Sequence, residues 1–308
     1  MKLSIIVPCY NEELTISRYF LSTQEFILDF KDDCEFIFIN DGSRDNTVKE
    51  LTHLKENNPD FRIIILNFSR NFGKEAGILA GLRESSGAYV VTMDADLQDP
   101  PYLLPLMLEE LEKGAYDSIA TYRVDRKGEP AIRSFFARKF YQIINKISDV
   151  NIVDGARDYR MMSRTMVNSI LELTEYHRFS KGIFAWVGYK TKFMEFENVE
   201  RIAGETKWSF MSLFAYALEG LIAFTTVPLR ISTFFGFAFS VIAFIYMIFV
   251  FIKALLFGDP VQGYPSMMVI ILFLGGIQLL SLGILGEYLA KTYMEVKHRP
   301  NYIIKERL

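Results

Sequence analysis

The stretch Val91-Thr-Met-Asp94-Ala-Asp96-Leu-Gln98 joins an apolar run to a loop that carries two carboxylates. This run, Tyr89–Met93, is the fourth of five short β-rich segments in the first 120 residues, and helical patterns separate them. Such alternation predicts an α/β fold with a mostly parallel sheet, in which ligands bind at the carboxyl ends of the strands. The other predicted strands are Leu3–Val7, Glu35–Ile39, Arg62–Leu66 and Asp117–Thr121.

Helices are predicted between these strands. They begin near Glu12, after Asp45-Asn46-Thr47, after Lys74 and after Pro100-Pro101. Proline suits the first turn of a helix, because the N–H that it lacks would have no partner there. Polar clusters occupy the predicted strand ends, at Pro8–Glu12, Asn40–Thr47, Asn67–Lys74 and Asp94–Asp99.

Asp94 and Asp96 are two residues apart at a strand end and can converge on one cation, to which Gln98 adds a neutral oxygen. Hard oxygen ligands suit Mg²⁺ or Mn²⁺, which retain waters and bind substrate phosphates. A solvated surface turn can show the same acidic pattern. The position directly after an apolar strand favours the metal site.

Two further loops carry groups suited to a nucleotide. Asp41 and Ser43 flank a glycine that lets the backbone turn close to a ligand, so they could hold a base or ribose; a plain capped turn is the alternative. Arg70 and Lys74 combine two cations with Gly73 at the third strand end. That pattern suits diphosphate or base contacts, and a solvated loop is the alternative.

Two long uncharged stretches predict a membrane hairpin. Ile231–Ile252 has 22 residues and Ser266–Gly286 has 21 residues without a charge, and each can cross about 30 Å of hydrocarbon at about 1.5 Å per residue. The connecting loop carries only Asp259, whereas basic residues flank the outer ends. This asymmetry predicts that both termini are cytoplasmic. The flanking basic residues are Arg230, Lys291, Lys297, Arg299, Lys305 and Arg307.

Two other segments are predicted to lie on the membrane surface. Ala131–Ser148 is a basic amphipathic pattern with bulky aromatic residues, although an ordinary core-packing helix has the same periodicity. Trp208–Leu229 is apolar but has Glu219 at its centre. A third span here would place the basic C-terminus outside the cell, so an interfacial helix is favoured.

The net charge, the cysteines and the N-terminal residues limit the classes of protein that fit this sequence. The net charge of −3 gives no basic field for nucleic acid. Cys9 and Cys34 are not in a CxxC pair and are predicted to be buried, reduced thiols of a cytosolic domain. The apolar run Leu3–Val7 is too short for a signal peptide and meets Pro8 at once.

Taken together, the motifs resemble glycosyltransferase family 2. Within it, they resemble the polyisoprenyl-phosphate glycosyltransferases, the group that contains dolichyl-phosphate mannose synthase and bactoprenol glucosyltransferases. The resemblance extends over essentially the whole chain, including the two spans. The motifs that carry it are Ile5-Ile-Val-Pro8-Cys-Tyr10-Asn11-Glu12, Asn40-Asp-Gly-Ser43, Ser69-Arg-Asn-Phe-Gly73-Lys74, Asp94-Ala-Asp96-Leu-Gln98, Arg157-Asp158-Tyr-Arg160, Lys181-Gly182 and Arg201-Ile-Ala-Gly204-Glu-Thr-Lys207-Trp208.

This resemblance implies a GT-A catalytic domain and a metal-dependent, inverting transfer. The donor would be a nucleotide sugar, UDP-glucose or UDP-N-acetylglucosamine, and the acceptor undecaprenyl or another polyisoprenyl phosphate. The product would serve cell-envelope glycan modification through a flippase and a lipid-linked-sugar transferase; membrane lipids and a second copy of the chain are further expected partners. The implied segments are a cytoplasmic catalytic domain at 1–200, a juxtamembrane loop and helix at 201–229, two transmembrane helices at 230–290 and a basic cytoplasmic tail at 291–308.

The resemblance also implies roles for individual residues. The catalytic residues would be Asp158 and Arg160, and the Mg²⁺ or Mn²⁺ ligands would be Asp94, Asp96 and Gln98. The nucleotide-sugar residues would be Pro8, Tyr10, Asn11, Glu12, Asp41, Ser43, Arg70, Lys74, Asp94 and Ala95. The lipid-phosphate or diphosphate residues would be Arg123, Arg133, Arg201 and Lys207. The segment between Arg123 and Arg133 is shorter than in the mannose synthases, which makes Arg138 a rival for Arg133.

Two other functions fit parts of the sequence. A processive polysaccharide synthase shares the catalytic domain, but no Gln-x-x-Arg-Trp motif occurs here and two spans make a poor channel. A membrane scaffold or sensor could be built on an inactive transferase domain. The intact Asp94, Asp96, Asp158 and Arg160 favour an enzyme over that alternative.

The predicted topology can be tested by cysteine labelling. A cysteine placed at Gln262, in the loop between the spans, should react with an impermeant thiol reagent added outside the cell, and one placed after Lys305 should not. Labelling at the C-terminal position alone would mean three spans, with Trp208–Leu229 as the additional one.

Overall fold

A computed structural model describes most of the chain. Its described residues are 2–123, 145, 153, 155–196, 225–257 and 263–308. They divide into two compact units, one of Met1–Gly220 with Arg299–Leu308 and one of Leu221–His298. The surface helix predicted at 131–148, apart from residue 145, and the juxtamembrane segment up to residue 224 lie outside the described residues. The predicted domain boundaries therefore stay predictions.

The first unit is built on one eight-stranded sheet with the order β7-β5-β6-β4-β1-β2-β3-β8. Strands β1 to β4 are parallel to one another, whereas β6 runs antiparallel to both β4 and β5. The strands are β1 Leu3–Cys9, β2 Cys34–Asn40, β3 Arg62–Phe68, β4 Tyr89–Thr92, β5 Ser118–Arg123, β6 Ala156–Ser163, β7 Thr191–Phe196 and β8 Ile304–Arg307.

Strands of mainly apolar residues explain the centre of this sheet. All seven residues of β2 are buried, which is the pattern of a parallel strand covered on both faces. Phe36 and Phe38 of β2 stack with ring centroids 5.8 Å apart, and Phe20 packs against Phe36 at 5.0 Å. These aromatic contacts form much of the core on one side of the sheet.

Helices follow the strands as the sequence predicts, and α2 and α3 begin at Thr47 and Lys74 as expected. The first helix begins at Ile16, four residues after Glu12, because a turn intervenes. The helices of this unit are α1 Ile16–Gln24, α2 Thr47–Asn57, α3 Lys74–Glu84, α4 Leu103–Glu112, α5 Arg164–Glu172 and α6 Ser180–Trp186. A short 3₁₀ helix covers Leu28–Asp33.

Helix α3 lies unusually close to the sheet. A Cβ atom at Gly81 would overlap Ile6 Cγ2, and one at Gly77 would lie 3.3 Å from Pro8 Cβ. Only glycine allows this approach, since any side chain would push the helix outward. The close packing fixes the first residue of the helix, Lys74, at the carboxyl edge of the parallel strands.

The C-terminal tail completes the sheet, which the sequence did not predict. Strand β8 pairs antiparallel with β3 at the edge. Tyr302 stacks on Phe68 at 5.1 Å, and the Asn301 amide donates to the carbonyls of Glu175 and Tyr176. Residues 299–308 thus belong to the same unit as the N-terminal strands.

The second unit contains two long helices, α7 Val227–Phe257 and α8 Tyr264–Val296. Both are long and apolar enough to cross a membrane, with the candidate spans at Val227–Tyr246 and Val269–Val296. Large apolar side chains such as Phe237 and Leu279 are 72% exposed. These helices match the two spans that the sequence predicts and extend beyond both.

Candidate active site

A bridging lysine marks the centre of the site. Lys74 Nζ lies 2.6 Å from Asp94 Oδ1 and 2.7 Å from Asp158 Oδ2. The three residues come from the start of α3, the loop after β4 and strand β6. Three separate parts of the chain therefore meet at one ammonium group, at the sheet edge where the fold places ligands.

The loop after β4 is held in an uncommon conformation. Leu97 has φ of 60°, in the left-handed region that side chains rarely adopt. The Asp94 backbone N–H donates to Asp99 Oδ2 at 2.9 Å, and the Gln98 N–H donates to Asp96 Oδ1 at 3.1 Å. The turn is thus fixed by its own carboxylates, with Asp94 and Asp96 presented on it.

Asp99 holds this loop in place through hydrogen bonds. It is buried, and the Arg157 Nη2 donates to its Oδ1 at 2.9 Å. Burial raises the pKa of Asp99 to about 6, while the Arg157 charge pulls in the other direction. Arg157 therefore forms its shorter ion pair with Asp99, and its Nη2 lies 3.7 Å from Asp94 Oδ2.

Asp41 fastens the loop that precedes α3. Its two carboxylate oxygens accept the backbone N–H groups of Phe72 at 2.6 Å and Gly73 at 2.9 Å. Gly42 follows with φ of 64°, and a Cβ atom there would lie 2.6 Å from the Asn71 nitrogen. Asp41 and Gly42 together determine where Lys74 begins its helix.

The loop after β1 is tied to the loop after β2. Asn11, with φ of 55°, donates its backbone N–H to Ser43 Oγ at 2.9 Å, and its Oδ1 accepts from the Arg44 N–H at 2.9 Å. The Glu12 N–H donates to Thr47 Oγ1 at 2.8 Å. The predicted base and ribose residues therefore lie on two loops that are bonded to each other.

The charges of the central cluster reinforce one another. Burial favours a higher pKa for Asp158, but attraction to Lys74, Lys181 and Arg157 outweighs it and holds the pKa well below its ordinary value. Burial likewise favours a lower pKa for Lys74, and Asp158 and Asp94 together raise it above its ordinary value. Asp158 and Lys74 are therefore both charged at neutral pH.

Two segments of the chain match known protein families. Residues 4–171 match glycosyl transferase family 2, and residues 227–292 match the GtrB C-terminal hairpin. The chain belongs to glycosyl transferase family 2. Its first unit is accordingly a GT-A-like catalytic domain, as the sequence predicts.

Relatives of the transferase match over nearly the full length. Bactoprenol glucosyl transferase of Shigella phage SfV is 43% identical, with 99% of this chain and 98% of the relative covered. The prophage bactoprenol glucosyl transferase homolog of Escherichia coli K12 is 42% identical, with 99% of both chains covered. Among solved structures, S. aureus TarS 1-349 in complex with UDP-GlcNAc gives a TM-score of 0.47 at 18% identity, covering 72% of this chain and 66% of that one.

The transferase brings together many of the residues that the sequence predicts. Lys74, Asp94 and Asp158 are in direct contact, and Asp41 and Ser43 hold the adjoining loops. The remaining predicted residues on these loops are Pro8, Tyr10, Asn11, Glu12, Ala95, Asp96 and Gln98. Their individual roles stay predictions.

Other predicted residues are placed elsewhere. Arg70 is exposed, lies over the Phe72 ring at 4.1 Å and donates to the Asn71 carbonyl at 3.0 Å. Arg123 is the last residue of β5, opposite Phe196 of β7. Arg133, Arg138, Arg201 and Lys207 lie outside the described residues.

Sequence reasoning missed two carboxylates that support the site. Asp99 closes the same acidic cluster as Asp94 and could have been noticed as its third member. Glu75 follows Lys74 and accepts hydrogen bonds from the backbone N–H and hydroxyl of Ser180, at the start of α6. No sequence signal linked Glu75 to Ser180, because 105 residues separate them.

The metal ligands predicted from the sequence fit a divalent ion in part. Asp94 and Asp96 are hard oxygen donors on one turn, and Asp94 already faces a cation in Lys74. In the described ranges, no group of three or more His, Cys, Asp or Glu side chains could hold a metal ion by itself. The carboxylates of Asp94 and Asp96 are ligands of the kind that Mg²⁺ or Mn²⁺ takes together with waters and phosphate oxygens, and the metal site stays a prediction.

Glu75 makes a testable contribution to stability. Burial and the nearby Asp158 charge raise its pKa from 4.5 to about 7. Because the folded-state pKa lies above the unfolded value, ionisation of Glu75 disfavours the folded state. The stability that protonated Glu75 allows is fully present below about pH 4.5 and is lost as the pH rises through about 7. Glu75→Gln keeps an oxygen for Ser180 but does not titrate. The unfolding free energy of the wild type relative to this variant should fall by up to about 3 kcal/mol between pH 4.5 and 8.

Chemical denaturation of the detergent-solubilised protein across this pH range would measure the effect. Glu109→Gln, which removes an exposed carboxylate on α4, is the matched control and should show no such trend. A difference between wild type and Glu75→Gln that stays constant with pH would contradict the assignment.

Proposed function

We propose that the chain transfers a hexose from a UDP-sugar to undecaprenyl phosphate or a related polyisoprenyl phosphate, with inversion. The observation that carries the proposal is the Lys74–Asp94–Asp158 cluster at the carboxyl edge of a family 2 catalytic domain. The same chain carries two apolar helices that match the GtrB C-terminal hairpin. A membrane-attached catalytic domain suits an acceptor whose lipid chain stays in the bilayer.

Glucose is the favoured sugar. The full-length relatives at 42–43% identity are named bactoprenol glucosyl transferases, and bactoprenol is the undecaprenyl carrier. UDP-glucose is therefore the first donor to test and UDP-N-acetylglucosamine the second. The product would be a polyisoprenyl-phosphate-linked monosaccharide for cell-envelope glycans, passed to a flippase and a lipid-linked-sugar transferase.

The proposed reaction joins an acceptor phosphate oxygen to the anomeric carbon as the bond to the UDP oxygen breaks. Asp94, Asp96 and Gln98 would hold Mg²⁺ or Mn²⁺, which would stabilise the negative charge that builds on the departing diphosphate. Lys74 retains its proton between two carboxylates and keeps Asp94 in place. The loops fixed by Asp41 and Asn11 are the proposed base and ribose contacts.

Asp158 is proposed to position groups rather than to remove a proton. A phosphate monoester has a second pKa near 6, so the acceptor is mostly a dianion at pH 7 and needs little deprotonation. The pKa of Asp158 is held well below its ordinary value by its cationic neighbours, which makes it a weak base. Its carboxylate instead fixes the Lys74 ammonium at 2.7 Å.

The proposed location is the cell membrane, with a multi-pass hairpin and with the catalytic domain and both termini in the cytoplasm. Support comes from the two candidate spans and from the uneven distribution of basic residues around them. Both chain connections of the hairpin lead to the catalytic unit, since residues 299–308 return to it.

A donor screen tests the proposed activity. Purified full-length protein is incubated with undecaprenyl phosphate and radiolabelled UDP-glucose, UDP-N-acetylglucosamine or a GDP-sugar, and organic-soluble product is counted. We expect product from UDP-glucose, and absence of lipid product would refute the function.

A pH–rate profile tests the role of Asp158. Asp158→Asn should lower kcat strongly at every pH from about 5.5 to 9, a range chosen because it brackets the acceptor pKa. A deficit that disappears at high pH would instead identify a general base.

Metal dependence is a separate prediction. EDTA should abolish transfer and Mg²⁺ or Mn²⁺ should restore it, because the diphosphate charge is otherwise uncompensated. Asp96→Ala should remove most activity even in excess metal. Asp60→Ala, at an exposed carboxylate before β3, is the control and should behave as wild type. Full activity in chelator would show that no metal is needed.

A further inference from the structure

A cationic cavity lies beside Asp158 and is not used by the interactions described so far. Its volume is about 190 Å³, well above the roughly 10–15 Å³ that one water molecule needs. Among the lining residues that the structure describes, three are cationic and none is acidic. The lining residues that matter here are Arg157, Arg160, Lys181, Phe184, Tyr189 and Phe193.

Arg160 is the central cation of this cavity. It is only 6% exposed, and its guanidinium carbon lies 4.7 Å from the centre of the Phe184 ring. Its Nη1 is 3.4 Å from Ser118 Oγ, and its buried Nε has no hydrogen-bond partner within the described part of the chain. Burying a charge with an unused donor costs free energy, which a bound anion would offset.

The neighbouring charges do not neutralise Arg160. Arg157 is already paired with Asp99, and Asp158 is paired with Lys74. Lys181 lines the same cavity, is half-buried and forms no ion pair with any residue that the structure describes. Asp158 attracts Arg160 and Lys181 as well as Lys74. These cations together exceed the single charge of Asp158, so the cavity keeps an excess of positive charge that suits a phosphate group.

We propose that this cavity is a phosphate-binding site in which Arg160 and Lys181 hold the phosphate of the lipid acceptor. The proposal rests on the proposed function for the identity of that lipid. Asp158 and Arg160 are two residues apart on β6 and so lie on the same face of the sheet, next to the central cluster. The aromatic lining from Phe184, Tyr189 and Phe193 suits the apolar carbon that follows the phosphate.

The acceptor is favoured over the donor as the source of the phosphate. The proposed metal ligands of the donor diphosphate are on the loop after β4, whereas the cavity is lined by β6, α6 and β7. Guanidinium and ammonium groups bind phosphate through charge-assisted hydrogen bonds, which are among the strongest in proteins. The site is therefore a second place for phosphate, separate from the acidic turn.

Inorganic phosphate provides a test that does not depend on activity. At constant ionic strength adjusted with NaCl, phosphate should raise the Tm of the full-length wild type and of the control Lys113→Gln, an exposed lysine on the C-terminal side of α4. Arg160→Gln and Lys181→Gln should lose most of this increase. Equal increases in all four proteins would overturn the site.

Kinetics then identify the source of the phosphate. The KM for undecaprenyl phosphate should rise about ten- to a hundredfold in both variants while the KM for the UDP-sugar is unchanged, and Lys181→Arg should recover much of the loss. A rise in the UDP-sugar KM or in the UDP inhibition constant, with the acceptor KM unchanged, would overturn the acceptor assignment. If Arg160→Gln is unstable, Lys181→Gln decides, because the Lys181 side chain is less deeply buried than that of Arg160.

The two proposals can fail separately. If wild type forms no lipid product from any sugar nucleotide, the proposed function fails, yet the phosphate-dependent Tm still decides whether the cavity binds phosphate. If product forms but Arg160→Gln and Lys181→Gln keep wild-type acceptor KM and phosphate response, the function stands and the cavity assignment is wrong.

Discussion

The Lys74 ammonium between Asp94 and Asp158 is the interaction on which the rest of the site depends. It joins the start of α3, the loop after β4 and the antiparallel strand β6, which are distant in sequence. Two carboxylates this close would repel each other without a cation between them. The close packing of α3 at Gly77 and Gly81 is what brings the lysine to that position.

The acidic residues of the site divide into two groups by what they bind. The carboxylate oxygens of Asp41 and Asp99 accept hydrogen bonds from backbone N–H groups, and Asp99 also accepts from Arg157. These bonds fix the loops. Asp94 and Asp158 face the lysine instead. Fixed loops of this kind present charge without reorganisation during a reaction, which is the general basis of electrostatic catalysis.

The chain leaves the catalytic unit before α7 and rejoins it at Arg299, where the tail adds an edge strand. Pairing of β8 with β3 and the stacking of Tyr302 on Phe68 give the tail a defined place. Phe68 also contacts Phe72, whose N–H is held by Asp41. The end of the chain is thus connected by packing to the loop that carries Lys74.

The sequence by itself determined the five leading strands, the loops that follow them and the two apolar helices, because those features depend on local periodicity and on runs of uncharged residues. It did not reveal β6, β7 or β8, whose mixed polar composition becomes a strand only through pairing with distant partners. It could name Asp158 and Arg160 from a motif, but it could not show that Asp158 is ion-paired while the Arg160 Nε has no hydrogen-bond partner among the described residues. That difference depends on which side chains surround each charge, and only the tertiary structure decides it.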